Sequence, residues 1–429
     1  MHELSQMIKD DMKPALGVTE PGAIAFAVAK ARSFTKGDIK KVNVAMNSGM
    51  YKNAFTCGIP NSNEVGNVFA AALGVVAGNA DKGLESLADV TPEDNVKAQE
   101  MIDQGKVTVE LSGITSRIFI EATVETEEDK AIVTIRDSHT NITKITVNAK
   151  VELETEDEKK TEEDGGEEEA HSIHKYTLQQ LYDYVTTVDI EEIRFINEAY
   201  KVNLELFHEG LENPRTTFAR QLLAINNGKE VSDDEQKTAS LMCNAAIEAR
   251  VIGLDKPAMS ITGSGAHGII ATMPLYAAYK VNGYTEEQLL RATALSYLVC
   301  MYIKEYSGRL SAFCGCAIAA GSGMACALVY LRGGTVEMMA HTLNNMASSI
   351  TGMICGGGNQ GCTMKGVAAV DAAYKSVEFA MNGIYISEVH GINGNTPEET
   401  MRNMGLIASP GMVGTEKTIV EIFEDKLKK

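Results

Sequence analysis

Residues 107–154, VTVELSGITSRIFIEATVETEEDKAIVTIRDSHTNITKITVNAKVELE, decide the fold class. They contain four runs rich in Val, Ile and Thr. Turn segments such as EEDK and DSHTN separate the runs, a pattern typical of strands joined in an antiparallel meander. Most segments before and after this stretch have the apolar spacing of helices instead. We therefore predict an α+β fold, in which a mostly helical body carries an inserted α+β domain containing an antiparallel sheet.

Composition and periodicity predict the domain boundaries. Residues 1–36 predict two helices that belong to the helical body, and Thr19 can serve as the N-cap of the second. Residues 37–151 form the inserted α+β domain, beginning with the strand-like run KKVNVAMN. Residues 152–172 predict an exposed acidic loop, because this part of the chain is dominated by Glu and Asp. Residues 173–429 predict an all-helical catalytic or cluster domain.

The charge and hydropathy of the chain exclude several classes of partner. The net charge of the 429 residues is -19, which argues against nucleic acid or an anionic membrane as the main partner. The uncharged run 310–331 is built from Ala, Gly, Ser and Cys, so we interpret it as a buried helix rather than a membrane span. The first residues do not resemble a signal peptide, and we expect a cytoplasmic protein with a small-molecule substrate. A helical body of this size is compatible with a homodimer.

Four of the eight cysteines fall into two clusters, Cys314 with Cys316 and Cys355 with Cys362. Clustered thiols in a reducing compartment indicate a metal or redox site rather than disulfides. The spacings C-x-C and C-x6-C fit neither a zinc ribbon nor a ferredoxin-like run. Three thiolates from separate loops could hold a [4Fe–4S] cluster and leave one iron open as a Lewis acid. Buried thiols without a ligand remain the alternative.

Two polar stretches near the start of the chain could carry chemistry. GVTEPGA (17–23) places Glu20 in the first turn of a helix, where it can be a structural cap or a catalytic acid or base. NSGMYKNAFTCGIPNS (47–62) places Lys52 and Asn53 on a loop after a strand. A lysine there can bind a carboxylate that the asparagine orients, and the alternative is a surface turn.

A third stretch, TGSGAHG (262–268), precedes an apolar helix. Backbone N–H groups in such a loop can form a nest for an anion, and His267 can act as a general acid or base near neutral pH. A structural histidine is the alternative. The stretch is no nucleotide-binding fingerprint, because no strand–GxGxxG–helix unit with a following acidic residue is present.

The order of these motifs along the chain resembles a known family. TEP at a helix start is followed by K-N, then by GSGAHG, then by RLSAFCGCAIAAG, and finally by GMICGGGNQGCTMK. This order resembles the L-cysteine desulfidase family, whose helical half is similar to the α chain of iron–sulfur L-serine dehydratases. The resemblance covers roughly residues 8–410 and leaves out the acidic run 152–170.

The resemblance implies an oxygen-sensitive [4Fe–4S] lyase without pyridoxal phosphate that cleaves L-cysteine to pyruvate, ammonia and sulfide. A serine dehydratase-like activity, or a lyase acting on another small carboxylate, is the alternative on the same scaffold. Cys355 and Cys362 match cluster ligands, and the third ligand would come from the CGC motif, where Cys314 is favoured over Cys316. The positions that match the substrate pocket are Lys52, Asn53, Ser264 and His267.

The chain departs from the family pattern at Val18. The family typically has a cysteine before TEP, a residue proposed as a base or as a ligand, and valine can neither accept a proton nor bind a metal. Either Glu20 or His267 serves as the base, or the substrate differs, or the chain is a non-catalytic ligand or redox sensor. We name Glu20 and His267 as the candidate catalytic residues.

Overall fold

A computed structural model describes residues 1–156, 172–308 and 310–428 of the chain. Its strands are β1 (Lys13–Leu16), β2 (Ile39–Asn47), β3 (Val107–Gly113), β4 (Phe119–Thr126), β5 (Lys130–Arg136), β6 (Ile142–Val147), β7 (Lys150–Glu154) and β8 (Pro257–Ser260). Its helices are α1 (Glu3–Asp11), α2 (Thr19–Arg32), α3 (Ser48–Ala54), α4 (Asn67–Ala77), α5 (Pro92–Asp103), α6 (Leu178–Thr187), α7 (Ile190–Ile193), α8 (Asn197–Glu212), α9 (Phe218–Ile225), α10 (Glu235–Val251), α11 (Gly265–Asn282), α12 (Glu286–Ser307), α13 (Gly321–Leu331), α14 (Val336–Ile350), α15 (Gly361–Met381), α16 (Pro397–Leu406) and α17 (Val413–Leu427).

The predicted α+β fold is confirmed. The larger sheet has six strands in the order β3-β2-β4-β5-β6-β7, and β1 pairs with β8 in a second, two-stranded sheet. Strands β4 to β7 form the predicted antiparallel meander. The predicted meander does not include β3, the first of its four runs, because β3 pairs with β2 and runs parallel to it. The chain between these two strands passes through α4 and α5, and such a crossover returns a strand in the same direction.

The last predicted run, ITKITVNAKVELE, forms two strands instead of one. Asn148 and Ala149 have φ angles of 47° and 66°, as in the two-residue turns that join hairpin strands. Strand β7 pairs with β6 beyond this turn, so residues 152–154 of the predicted acidic loop belong to the sheet. Residues 157–171 of that loop lie outside the described part of the chain.

The N-terminal segment differs from the two predicted helices by the short strand β1 between them. Thr19 is the first helical residue of α2 and not its N-cap, which is Val18. The Thr19 hydroxyl instead donates to the carbonyl oxygen of Gly263 at 3.3 Å. Helix α2 packs on α4, β4 and β5, whereas α1 contacts α12. The N-terminal segment therefore touches both the sheet and the helical half, and the division into domains stays a prediction.

The helical half is organised around α10. Every residue from Thr238 to Val251 in this helix is buried, and it packs against α8, α11 and α15. The predicted helix over 310–331 begins later than expected. Residues 310–314 are irregular, a π-helical turn follows at Cys316–Ala320, and α13 continues from there. Among the described residues, no helix combines the length and the apolar character that crossing a bilayer would require.

Candidate functional site

The two cysteine segments are held side by side by a short backbone bridge. Phe313 and Ile354 pair in antiparallel fashion. On one side of the bridge the Cys314 N–H donates to the Met353 carbonyl oxygen at 2.8 Å, and on the other the Cys355 N–H donates to Ala312 at 2.6 Å. The irregular stretch before the π-helical turn therefore places Cys314 next to the Cys355 segment, although the two cysteines are 41 positions apart in the sequence.

The ammonium group of Lys365 lies among the thiols of both clusters. Burial alone would lower the pKa of Lys365, but the negative charges of four cysteines raise it. Lys365 follows Cys362 by one helical turn in α15, so the two side chains lie on the same face of the helix. The four thiols around it are those of Cys355, Cys314, Cys362 and Cys316.

The thiols differ in charge. A hydrogen bond from Cys316 is the largest cause that lowers the pKa of Cys314 to about 6; burial opposes it, and the charge of Lys365 also helps. Burial raises the pKa of Cys362 to about 11, and the hydrogen bond to Cys314 together with burial raises the pKa of Cys316. Of the two thiols in the CGC motif, Cys314 is therefore the one whose ionised form the surroundings favour.

This donor set fits an iron–sulfur cluster better than a single metal ion. No three His, Cys, Asp or Glu side chains among the described residues are arranged to hold one ion. A cluster distributes its cysteine ligands over different irons, so it suits thiols from separate loops. The nearby ammonium of Lys365 compensates the negative charge that several thiolates would bring.

The loop between Cys355 and Cys362 lies directly on α3 and on the start of α2. Gly357 has a φ of +88°, and a Cβ at this position would come within 2.4 Å of the Lys52 carbonyl oxygen. A Cβ on Gly358 would lie 2.7 Å from Cγ1 of Val18. The Gly358 N–H donates to the Asn53 carbonyl oxygen at 3.0 Å. Val18, where the family pattern has a cysteine, thus faces the cysteine loop.

Lys52 and Asn53 lie on the short helix α3, not on a loop as predicted. Lys52 is 1% exposed, and its Nζ donates to Glu416 Oε2 at 2.7 Å and to the Ser311 carbonyl oxygen at 3.0 Å. Burial lowers the pKa of Lys52, but the charges of Cys355 and Glu416 outweigh burial and raise it. The ammonium is therefore already paired with a carboxylate from α17.

Asn53 connects the cysteine loop to Glu20. Its Nδ2 donates to Glu20 Oε1 at 2.9 Å, and its Oδ1 accepts a hydrogen bond from the Cys355 thiol at 3.7 Å. Burial would raise the pKa of Glu20. The imidazole of His139, whose Nε2 lies 3.7 Å from Oε1 of Glu20, the amide of Asn53 and the charge of Arg250 together lower it to about 2. Glu20 is a buried carboxylate that bonds to another element and makes no capping bond to its own helix.

His267 faces the CGC segment from the start of α11. The Thr262 hydroxyl donates to the Ile261 carbonyl oxygen at 2.7 Å, so it accepts from Nδ1–H of His267, and this assigns the lone pair to Nε2. A Cβ on Gly315 would lie 2.8 Å from that Nε2. Burial, followed by the charges of Lys304 and Arg250, lowers the pKa of His267 well below its ordinary value. The imidazole is therefore neutral at pH 7.

Ser264 occupies the N-cap position of α11, but its side chain makes no capping hydrogen bond. The hydroxyl is thus not used by the helix that it precedes. The structure brings seven of the eight predicted site residues into one network, in which the starts of α2, α3 and α11 meet the two cysteine segments, and Ser264 lies in the same start of α11 as His267. Their individual roles stay predictions.

Sequence reasoning missed five charged or titratable residues around this network. Lys365 had a signal, since it follows Cys362 by three positions on the same helix. The other four come from separate elements whose contacts are tertiary, and no local pattern marks them. They are His139 in the β5–β6 turn, Arg250 in α10, Lys304 in α12 and Glu416 in α17.

Comparisons with known proteins point to one family. The family model described as serine dehydratase alpha chain matches residues 81–421. A UPF0597 protein of Clostridium botulinum (strain Hall) is 40% identical over 424 residues, which is 98% of both chains. A UPF0597 protein of Caldanaerobacter subterraneus subsp. tengcongensis is 36% identical over 428 residues, 99% of this chain and 98% of the relative. Another, from Clostridioides difficile, is 32% identical over 425 residues, 99% of each chain.

Proposed function

Because the chain belongs to the serine dehydratase alpha chain family, we propose that it is an iron–sulfur lyase that catalyses α,β-elimination on a small amino acid. We take L-cysteine as the substrate, with pyruvate, ammonia and sulfide as products. The observation that carries this proposal is the set of four thiols around Lys365, next to a buried network that contains the carboxylate of Glu20 and the neutral imidazole of His267.

In this proposal Cys314, Cys355 and Cys362 hold a [4Fe–4S] cluster, and pyridoxal phosphate takes no part. When bound, the cluster would supply an iron without a protein ligand, a Lewis acid for the departing sulfur or oxygen. Lys365 neutralises the thiolates that hold it. Cys316 donates its hydrogen bond to Cys314 and so keeps Cys314 ionised.

His267 is the base that we favour for the Cα proton. Its neutral imidazole carries the lone pair on Nε2, and Thr262 fixes this tautomer. Transfer of the Cα proton to Nε2 and departure of the thiolate leave aminoacrylate, which tautomerises to an imine that water hydrolyses to pyruvate and ammonia. Glu20 is a weaker proton acceptor, because its pKa is about 2, and it orients Asn53 beside Cys355.

L-Serine is the second candidate substrate, because the description of the matching family names serine. Elimination from serine releases water where cysteine releases sulfide, and the same base serves both. The alternative hypothesis outside the enzymes is a non-catalytic ligand or redox sensor that lost its base at Val18. We also propose a cytoplasmic location, no nucleic-acid or membrane partner, and a homodimer.

The test is anaerobic purification and cluster reconstitution, followed by iron and sulfide analysis. We expect about four irons per chain, and release of both pyruvate and sulfide from L-cysteine. Cys355→Ala and Cys362→Ala should bind no cluster, whereas Cys326→Ala, which removes a buried thiol of α13, should keep it. A chain without a cluster after reconstitution would refute the iron–sulfur proposal. A chain with a cluster but without pyruvate from either amino acid would support the sensor.

A further inference from the structure

Arg250 is a buried cation that makes no ion pair within the described part of the chain. The residue is 4% exposed, and its Nε makes no hydrogen bond. No ion pair joins its guanidinium to a carboxylate of the described residues. A guanidinium carries five N–H donors, and burying it without an anion is costly. A buried, unpaired arginine is therefore expected where an anionic ligand binds.

The carboxylates nearest to Arg250 are engaged elsewhere. Glu248 lies two positions earlier on α10, and its carboxylate accepts hydrogen bonds from the backbone N–H groups that begin α9, at 2.8 Å from Thr217 and from Ala219. Glu20 is near enough for Arg250 to lower its pKa, but its Oε1 accepts from Asn53. Among the described residues, Glu20 is thus an electrostatic neighbour of Arg250, but no carboxylate makes an ion pair or a hydrogen bond with its guanidinium.

The N-terminus of α11 lies against the same guanidinium. A Cβ on Gly265 would come within 2.7 Å of Arg250 Nε, so only a glycine lets the helix start approach this closely. The Ser264 side chain leaves the helix start uncapped. Free backbone N–H groups and the positive end of the helix dipole both favour an anion at this end.

We propose that Arg250 and the first turn of α11 bind the carboxylate of the amino-acid substrate. The inference rests on the proposed function and gives the substrate carboxylate a place that Lys52 does not offer, since Glu416 already pairs with Lys52. Arginine binds a carboxylate through two parallel hydrogen bonds, which also orients the molecule. Because His267 lies in the same first turn of α11, a carboxylate held here keeps the adjacent Cα on the side of the candidate base.

The test compares binding of L-alanine and ethylamine to the full, reconstituted chain by anaerobic calorimetry. L-Alanine has no leaving group at Cβ and is not eliminated, and ethylamine is the same molecule without its carboxylate. We expect L-alanine to bind at least about 10-fold more tightly than ethylamine. In Arg250→Met, L-alanine and ethylamine should bind with similar affinity. Arg250→Lys should give an intermediate ratio of affinities, because lysine keeps the positive charge but lacks the two parallel N–H donors of the guanidinium.

Arg332→Met is the matched control. Arg332 pairs with Glu235 at 3.2 Å, so its loss should lower the melting temperature without changing the ratio of affinities. Arg250→Met also removes a charge that helps to keep Glu20 ionised, so its melting temperature should fall as well, and only the ratio of affinities separates it from Arg332→Met. If Arg250→Met does not fold, the ratio of the affinities for L-alanine and ethylamine in Arg250→Lys decides whether Arg250 binds the carboxylate.

An unchanged ratio in both Arg250 variants would overturn the inference, and so would a parent chain that does not discriminate between the two probes. Turnover of L-cysteine is measured separately. A chain that turns over L-cysteine while the Arg250 variants keep the ratio leaves the proposed function standing and refutes only this site. A chain that does not turn over L-cysteine but loses the ratio in Arg250→Met keeps the site and refutes the function.

Discussion

Glu20 holds its charge inside the protein because its neighbours stabilise the carboxylate more than burial penalises it. Its pKa in the fold is about 2, against an ordinary value of 4.5. A depressed pKa means that the ionised carboxylate stabilises the fold at pH values above 4.5, and that this contribution is lost as the pH falls toward 2.

Replacement of Glu20 by Gln should therefore change how stability depends on pH. The free energy of unfolding of the parent should exceed that of Glu20→Gln at pH 6. The difference should shrink by about 2 kcal/mol at pH 3, because the carboxylate of the unfolded chain becomes protonated there while that of the folded chain stays mostly ionised. Urea unfolding at both pH values measures this. The exposed Glu205 of α8 gives the control, and its Gln variant should show a constant difference. A constant difference in Glu20→Gln as well would mean that its neighbours do not stabilise the carboxylate.

The choice between Cys314 and Cys316 can also be decided by substitution. Cys314 has the lowered thiol pKa and the backbone bridge to the Cys355 segment, whereas the pKa of Cys316 is raised. Cys314→Ser should lose the cluster, and Cys316→Ser should keep most of the iron. Iron per chain and the visible charge-transfer absorbance report the result. The reverse pattern would assign the third ligand to Cys316.

The site residues that could be predicted are those that stand close to other functional residue types in the sequence. The cysteines two and seven positions apart, the glycines before a helix and the glutamate after Thr19 are all recognisable without a structure. Arg250 and His139 are not, because an arginine near the end of a helix and a histidine in a hairpin turn are ordinary in sequence. What makes them unusual is burial against partners from distant segments, which depends on tertiary packing.

At the scale of elements, the cysteine loop and α3 fit together only because the loop lacks side chains where they touch. Gly357→Ala should destabilise the chain by about 1–3 kcal/mol, since its φ of +88° is strained for alanine and its Cβ would meet the Lys52 carbonyl oxygen at 2.4 Å. Thermal unfolding and iron content should both fall. Gly352→Ala is the control, because its Cβ would meet nothing within 4 Å. Equal effects of the two changes would contradict the close packing.

Helix α17 is tied to α3 by the buried ion pair between Lys52 and Glu416. Lys52→Met leaves a buried carboxylate without a partner and should cost about 3–5 kcal/mol of unfolding free energy, whereas Lys52→Met combined with Glu416→Leu should recover much of the loss. Chemical denaturation of the parent, of Lys52→Met, of Glu416→Leu and of the double variant gives the coupling energy. The exposed pair Lys375–Glu378 provides the control, with an expected effect of about 0.5 kcal/mol or less for Lys375→Met. A double variant no more stable than Lys52→Met would mean that Lys52 acts mainly on the thiols.

The elements themselves were predictable where periodicity was long and unambiguous. The Val-, Ile- and Thr-rich runs within 107–154 correspond to β3 to β7, and the strand-like run KKVNVAMN corresponds to β2. The parallel pairing of β3 was not visible, because strand direction depends on the crossover and not on the strand. The helical state of residues 48–54 and the bridge between Phe313 and Ile354 were missed for a related reason, since contacts with distant segments stabilise them.

On the scale of the molecule, the network forms where the α+β half meets the helical half. The former supplies Asn53 and His139, while the latter supplies His267 and the cysteines. The family match begins at residue 81 and so includes the cysteines and His267 but not Glu20, Lys52 or Asn53. The residues outside that match still contact those inside it, through Gly358 and Cys355.

Loss of the cluster should therefore loosen both halves at once. A ligand that binds only the folded state stabilises the elements that hold it. Gly357 and Gly358 of the cysteine loop pack directly on the backbone of α3, so stabilising the loop also stabilises α3. After anaerobic removal of iron with a chelator, hydrogen exchange should become faster at 312–318, at 353–362 and also at 48–54. Helices α8 and α9, which carry none of the proposed ligands, should keep their exchange rates. Faster exchange confined to the two cysteine segments would show that α3 holds its position without the cluster, and that the α+β half contributes a preformed wall to the site.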